Sequence, residues 1–238
     1  MTNQSNSMKT IQGTVKILGL CASVLAAGSV WASPPTFNVN QNYSIGSIIP
    51  DNNPSGLGLT ESFSAPGMAA ITSLTVTLDI SGGANGDYYA FLQHGPGFSV
   101  LLNRVGRDSG NAFGYGDSGL NVTLDDSAVN GDIHTYQLTL NPGGGALTGT
   151  WAPDARTDDP GLVLTTSPRN APLSSFNGVD PNGNWTLFIT DLSPGGVGTL
   201  QSFDLNVTGV PEPATVWLLA LGGLGLFLGR RFYRRQLS

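Results

Sequence analysis

Two histidines and a scatter of carboxylates carry most of the reactive chemistry in this chain. His94 stands beside Gly95-Pro96-Gly97 and His134 beside Thr135; both read as surface or turn positions. A serine hydrolase needs a serine, a histidine and a carboxylate brought together, and no Gly-x-Ser-x-Gly elbow supplies the nucleophile. Asp125-Asp126 and Asp158-Asp159 are adjacent pairs. Neighbours in a strand point to opposite faces, so these read as solvated turns rather than as the two facing carboxyls of a glycosidase. No residue is assigned a catalytic role, and the chain is expected not to be an enzyme.

Among metal ions, calcium is better supported than zinc, through a different set of aspartates. Calcium takes six to eight oxygens from carboxylates, amides and carbonyls. Asp51 (with Asn52 and Asn53), Asp79, Asp87, Asp180 and Asp191 lie at expected strand ends or turns and are the candidate calcium ligands. Their other reading is turn formation through side-chain hydrogen bonds. No EF-hand spacing occurs, and zinc has neither cysteines nor clustered histidines to hold it. Tyr88, Tyr89, Phe98, Phe113 and Tyr115 are candidates for stacking on sugars or for core packing.

The elements that must position these groups are strands. Period-two alternation marks 74–80, 135–140, 185–190 and 203–207, and shorter strands are expected at 88–93, 99–103, 121–124 and 162–165. Asn85-Gly86, Asn130-Gly131, Asn141-Pro142-Gly143, Asn182-Gly183 and Pro194-Gly195-Gly196 separate them as turns. No long amphipathic helix occurs before Ala214. The reading is all-β: two packed antiparallel sheets over residues 33–209.

Composition agrees. The chain has 238 residues, 33 of them Gly and 15 Pro, and only 11% are charged, against about 25% in an average soluble domain. That excludes a charge-rich disordered body or a coiled coil. Residues 33–209 hold four arginines against fourteen aspartates and Glu61, a net charge of −11. Such a surface repels phosphate backbones, so nucleic acid is excluded as a partner.

Both ends carry addresses. Residues 1–32 place lysines before an apolar run that closes on Val30-Trp31-Ala32, the pattern of a signal peptide cut by signal peptidase after Ala32. That cut removes Cys21, the one cysteine, and with it disulfides and thiol catalysis. At the other end, residues 214–229 are uncharged and largely apolar, followed by Arg230, Arg231, Arg234 and Arg235. As a helix these 16 residues span about 24 Å, short of a hydrocarbon core of about 30 Å. Trp217 and the snorkelling arginines help close the gap as a transmembrane helix. The arginines would stay cytoplasmic and the body outside.

The order Val210-Pro211-Glu212-Pro213, short apolar span, arginine cluster resembles the PEP-CTERM sorting signal of Gram-negative bacteria. The resemblance implies an exosortase-type enzyme as partner, processing near Pro211, Glu212 and Pro213, a transient inner-membrane anchor, and delivery to the cell surface or an exopolysaccharide matrix. On this reading residues 210–238 are the sorting tail.

The body resembles a second family. Ile49-Pro50-Asp51-Asn52-Asn53-Pro54-Ser55-Gly56-Leu57 is similar to the opening of a P domain (P/Homo B), the module that follows the catalytic domain in subtilisin-like proprotein convertases. Leu74-Thr75-Val76-Thr77-Leu78-Asp79-Ile80-Ser81 and Gly86-Asp87 resemble its first long strand and the start of the next. Gly97 to Arg104, Pro172 to Gly178, Asn182 to Leu187 and Gly198 to Phe203 follow in family order. This sequence departs in three places: Gly82-Gly83-Ala84-Asn85 replaces a His and an aromatic, Phe203 replaces Trp, and residues 108–130 fit poorly. The resemblance implies a jelly-roll-like, galactose-binding-domain-like sandwich. It also implies a role beside a secreted subtilisin-like serine endopeptidase, as an accessory that stabilises or assists proteolysis. The reading preferred on the residues is a non-catalytic surface or extracellular-matrix module, with exopolysaccharide or a secreted peptidase as its partner.

Overall fold

The computed structural model describes residues 35–212 together with Leu221, Gly222 and Leu224. The signal peptide expected over 1–32, its cut after Ala32, Pro213 and the four tail arginines lie outside the described residues. So does the transmembrane helix expected over 214–229, apart from Leu221, Gly222 and Leu224, which are helical. Among the described residues no helix is long and apolar enough to cross a membrane.

Among the described residues, nine strands form two sheets. One is ordered β1 (Phe37–Ile49), β9 (Gly198–Pro211), β3 (Met68–Gly82), β6 (Leu120–Leu124), β7 (Leu147–Trp151). The other is ordered β2 (Leu57–Phe63), β8 (Gly183–Asp191), β4 (Tyr88–His94), β5 (Gly97–Asn103). Alternation drives both. In β3, Leu74, Val76, Leu78 and Ile80 turn inward and are buried, and Thr75, Thr77 and Asp79 turn out. Trp185, Leu187 and Ile189 of β8 do the same from the opposite sheet. Each such side chain contributes about 1.5–3 kcal/mol by leaving water. Large buried aromatic groups, Trp151, Trp185, Phe63, Phe176 and Phe203 among them, belong to the core between the layers.

The structure corrects several expectations. β6 and β7 are parallel, not antiparallel. Parallel neighbours need a crossover, and residues 125–146 provide it. Inside that crossover the strand expected over 135–140 is a 3-10 helix, Ile133–Leu138. Tyr136 is buried, but Leu138 is 84% exposed, so the alternation had no second layer to pack against. Asp132 instead caps the helix, accepting the His134 amide at 2.9 Å. The strand expected over 162–165 is a pair of turns, because Asp159 O accepts the amides of Leu162 and Val163 at 2.7 and 2.9 Å. Three strands, β1, β2 and β7, were not anticipated. β9 also runs past the expected end of the body at Gly209, as far as Pro211.

Candidate functional site

Three places in the sandwich hold chemistry: a buried histidine network behind β5, an acidic cluster at one end of β8, and the C-terminal end of β9.

Both histidines are buried, contrary to the surface reading: His134 is 0% and His94 is 7% exposed. His134 Nδ1 lies 2.7 Å from Asp154 Oδ2, and Nε2 lies 3.0 Å from the Arg107 carbonyl. Both partners are hydrogen-bond acceptors. Asp154, itself fully buried, also accepts the Asn103 amide at 3.1 Å and Arg156 Nη1 at 3.2 Å. Arg156 Nη2 reaches Asp132 at 2.7 Å and the Thr165 carbonyl at 2.9 Å. Burial opposes the Arg156 charge, but the carboxylates of Asp132 and Asp154 hold its affinity for the proton above the ordinary value. Arg169 closes the cluster on the Pro153 carbonyl at 2.7 Å.

This network fastens residues 152–171 along the free edge of β5. Asp154 and Ala155 amides bond the carbonyls of Leu101 and Val100 at 3.1 and 2.8 Å. Covering an edge strand removes a template for unwanted pairing. The backbone at Ala155 has φ +60, a strained value for a side chain, and the surrounding bonds hold it there. Asp132-x-His134 and Asp154-x-Arg156 were the sequence signals for this network, and spacing alone gave no reason to join them.

His94 is clamped between two carbonyls, Asn184 O at 2.8 Å and Asp180 O at 2.7 Å, with its ring 4.3 Å from Trp185 at 6°. Neither histidine nitrogen meets a serine hydroxyl among the described residues.

The candidate calcium ligands divide. Asp180 precedes β8 and Asp191 ends it. A nine-residue strand at about 3.4 Å per residue separates them by about 30 Å, so they cannot share an ion. Asp79 stands on the outer face of the five-stranded sheet between Asn121 and Ser202. Asp51, Asp87 and Asp191 do feel one another's charge at one end of the sandwich. Among the described residues, however, no three of His, Cys, Asp and Glu are grouped so as to hold a metal ion.

At that end Arg104 supplies the counter-charge. Its Nη2 donates to Ser193 Oγ at 2.8 Å and lies 3.7 Å from Asp87 Oδ1, and its Nε donates to the Gly86 carbonyl at 3.1 Å. Asp191 is fully buried; Oδ1 accepts the Ser193 amide at 3.1 Å and Oδ2 has no partner. Burial, with the Asp87 and Asp51 charges, pushes its carboxyl up to about 6. Burial raises Asp87 as well. Tyr88 packs beside them, its hydroxyl donating to the Gly82 carbonyl at 3.0 Å. The fit depends on Gly198, where a Cβ would stand 2.0 Å from that hydroxyl.

A pH dependence follows. Because the folded state raises the Asp191 carboxyl above its ordinary 3.8, the neutral form is the one that folding favours. Its contribution is complete below about pH 4 and is lost as pH rises through about 6, to the extent of about 3 kcal/mol. Asp191→Asn keeps the acceptor for Ser193 and does not titrate. In chemical unfolding it is expected to match the parent at pH 4 and exceed it at pH 7.5. Parallel pH profiles for the two proteins would contradict this.

The paired carboxylates are cappers. Asp126 accepts the amides of Leu173 and Ser174 at 3.0 and 2.7 Å, and Asp125 accepts Ser127 at 2.9 Å. They line a cavity of about 170 Å³ with Thr72, Ser73, Leu74, Ser127, Ser174 and Asn177. Of the candidate sugar-stacking residues, Tyr88 is fully buried and Tyr115 packs on Tyr136 at 4.7 Å. Phe113 is 75% exposed on the loop between β5 and β6, and Tyr89 and Phe98 lie on the outer face of the four-stranded sheet.

The last strand leads directly into the tail. Gly209, Val210 and Pro211 pair with Ile71, Ala70 and Met68, and the Glu212 amide donates to the Gly67 carbonyl at 3.0 Å. The molecule is thus a two-sheet sandwich whose final strand hands over to an apolar, arginine-ended tail. Residues 209–235 match the family model of the PEP-CTERM protein-sorting motif. This motif marks an exported protein that undergoes exosortase-dependent sorting. No curated protein matches the chain. Among solved structures it is similar to the Aeromonas sobria serine protease in complex with its chaperone ORF2, with TM-score 0.41 and 17% identity over 75% of this chain and 28% of that one. The Aeromonas sobria serine protease alone gives TM-score 0.39 and 17% identity over 74% of this chain. The chain spans about 27% of the length of that second structure.

Proposed function

We propose that this chain is an exported, non-catalytic β-sandwich of P-domain type, with a signal peptide ending at Ala32 and a C-terminal membrane helix. An exosortase-type enzyme sorts it to the cell surface or extracellular matrix, where it has a structural or binding role. The observation that carries the reading is the sorting motif at residues 209–235, attached without a linker to a folded strand. The placement of Asp51, Asp87 and Arg104 supports the P-domain assignment. These residues belong to three separate stretches that resemble the family; Arg104 lies 3.7 Å from Asp87, and the Asp51 charge acts on the same carboxyl. The non-catalytic reading is supported by the burial of both histidines against backbone and carboxylate acceptors. Fractionation of cells producing the full chain tests the location. The expected result is processed protein outside the inner membrane, and full-length protein held in that membrane when the sorting enzyme is deleted. Processed protein found in the cytoplasm would overturn the proposal.

A further inference from the structure

The two outer faces of the sandwich differ in chemistry. The five-stranded face is a grid of short polar groups: Asn42, Asp204, Thr77, Thr123 and Thr150 stand in one row across all five strands. This is an ordinary hydrated surface.

The four-stranded face is aromatic. Phe91 of β4 lies directly opposite Phe188 of β8, the rings stacked at 5.0 Å and 19°. Phe98 lies 5.3 Å and Tyr89 6.1 Å from Phe91. All four remain partly exposed. The next row holds Thr60, Thr186 and Gln93, with the two threonine hydroxyls 3.2 Å apart. No charged side chain stands in these rows, although residues 33–209 carry a net charge of −11. At the edge of the aromatic row, Gly58 pairs with Phe188, and a Cβ built there would meet nothing within 4 Å.

We propose that this face binds an uncharged polysaccharide. The rings of Phe91, Phe98, Phe188 and Tyr89 would pack against the apolar faces of sugar rings. Thr60, Thr186 and Gln93 would exchange hydrogen bonds with sugar hydroxyls. Charge selects the partner. The negative domain repels uronate and phosphate polymers, and the face has no carboxylate to hold a basic protein. Aromatic rings interleaved with a few uncharged donors and acceptors suit a neutral, hydroxylated ligand. The proposal rests on the exported location argued above, which brings such polymers within reach.

The test is affinity electrophoresis of the detergent-solubilised full chain. The gels contain a neutral β-glucan, a galactomannan or amylose, or alginate as the anionic control. At least one neutral polymer is expected to retard the protein, and alginate is not. Gly58→Gln, which fills open space at the edge of the row, is expected to weaken the retardation at least tenfold with the melting midpoint unchanged. Phe91→Ala is expected to weaken it comparably. The proposal is overturned if no neutral polymer retards the parent or if Gly58→Gln migrates as the parent does. It is also overturned if sedimentation shows the face buried in a dimer that Phe91→Ala dissolves. A chain found outside the inner membrane that binds no polymer sinks this proposal and leaves the sorting reading standing.

Discussion

Asp154→Ala is expected to destabilise the sandwich by about 3–5 kcal/mol, the effect of removing one member of a buried ionic group. Asp154 is fully buried and accepts from the Asn103 amide, His134 and Arg156. Alanine leaves the Arg156 guanidinium with Asp132 as its remaining carboxylate and leaves His134 Nδ1 facing no acceptor. The backbone should respond too, because residues 152–171 would lose their hold on β5. Hydrogen exchange at Ala155 and Ala171, whose amides bond Val100 O and Ala155 O at 2.8 and 2.9 Å, should then accelerate well before global unfolding. Equilibrium unfolding in denaturant gives the first quantity and exchange the second. A loss below about 1 kcal/mol would place Asp154 in the range of an exposed ion pair and refute the account of the network.

The second large effect concerns processing. Released protein is expected to end at Glu212 or later, as read by intact mass. Gly209 to Pro211 are paired to β3, and Glu212 is bonded to Gly67. An enzyme cutting earlier would have to strip those residues from the sheet. Gly209 is also held close: a Cβ there would stand 2.4 Å from Met68 Sδ and 2.5 Å from the Ala70 carbonyl. Replacing Pro211, Glu212 and Pro213 together by alanine is expected to reduce release at least tenfold, because the alanines let the segment adopt helix where the prolines keep it extended. A released form ending before Glu212, or normal release of the triple variant, would contradict the prediction.

Much of the sandwich was legible in the chain because its strands alternate. Leu74 to Ile80 and Trp185 to Ile189 each present one apolar row, and a period of two allows only one way to bury it. The same rule failed at Tyr136, Leu138 and Leu140. Their alternation is real, yet only Tyr136 is buried, and Asp132 caps a 3-10 helix there instead. β1 was missed for the opposite reason. Its Asn38, Asn40 and Asn42 disfavour strands locally, and their cross-strand partners Asn206 and Asp204 lie more than 160 residues away. Expecting the candidate calcium ligands to meet assumed that strand ends converge, whereas β8 sends Asp180 and Asp191 to opposite ends.

The chain by itself established the all-β class, the acidic and lysine-free body, and the sorting tail, because each is written in local composition or in a contiguous motif. Only the folded molecule decided that both histidines are interior, that Asp87 and Arg104 pair with the Asp51 charge nearby while Asp79 and Asp180 stand apart, and that the last strand extends into the sorting motif. Those facts depend on which strands become neighbours. That pairing is set by the packing of two sheets across long sequence separations, which no short stretch of residues encodes.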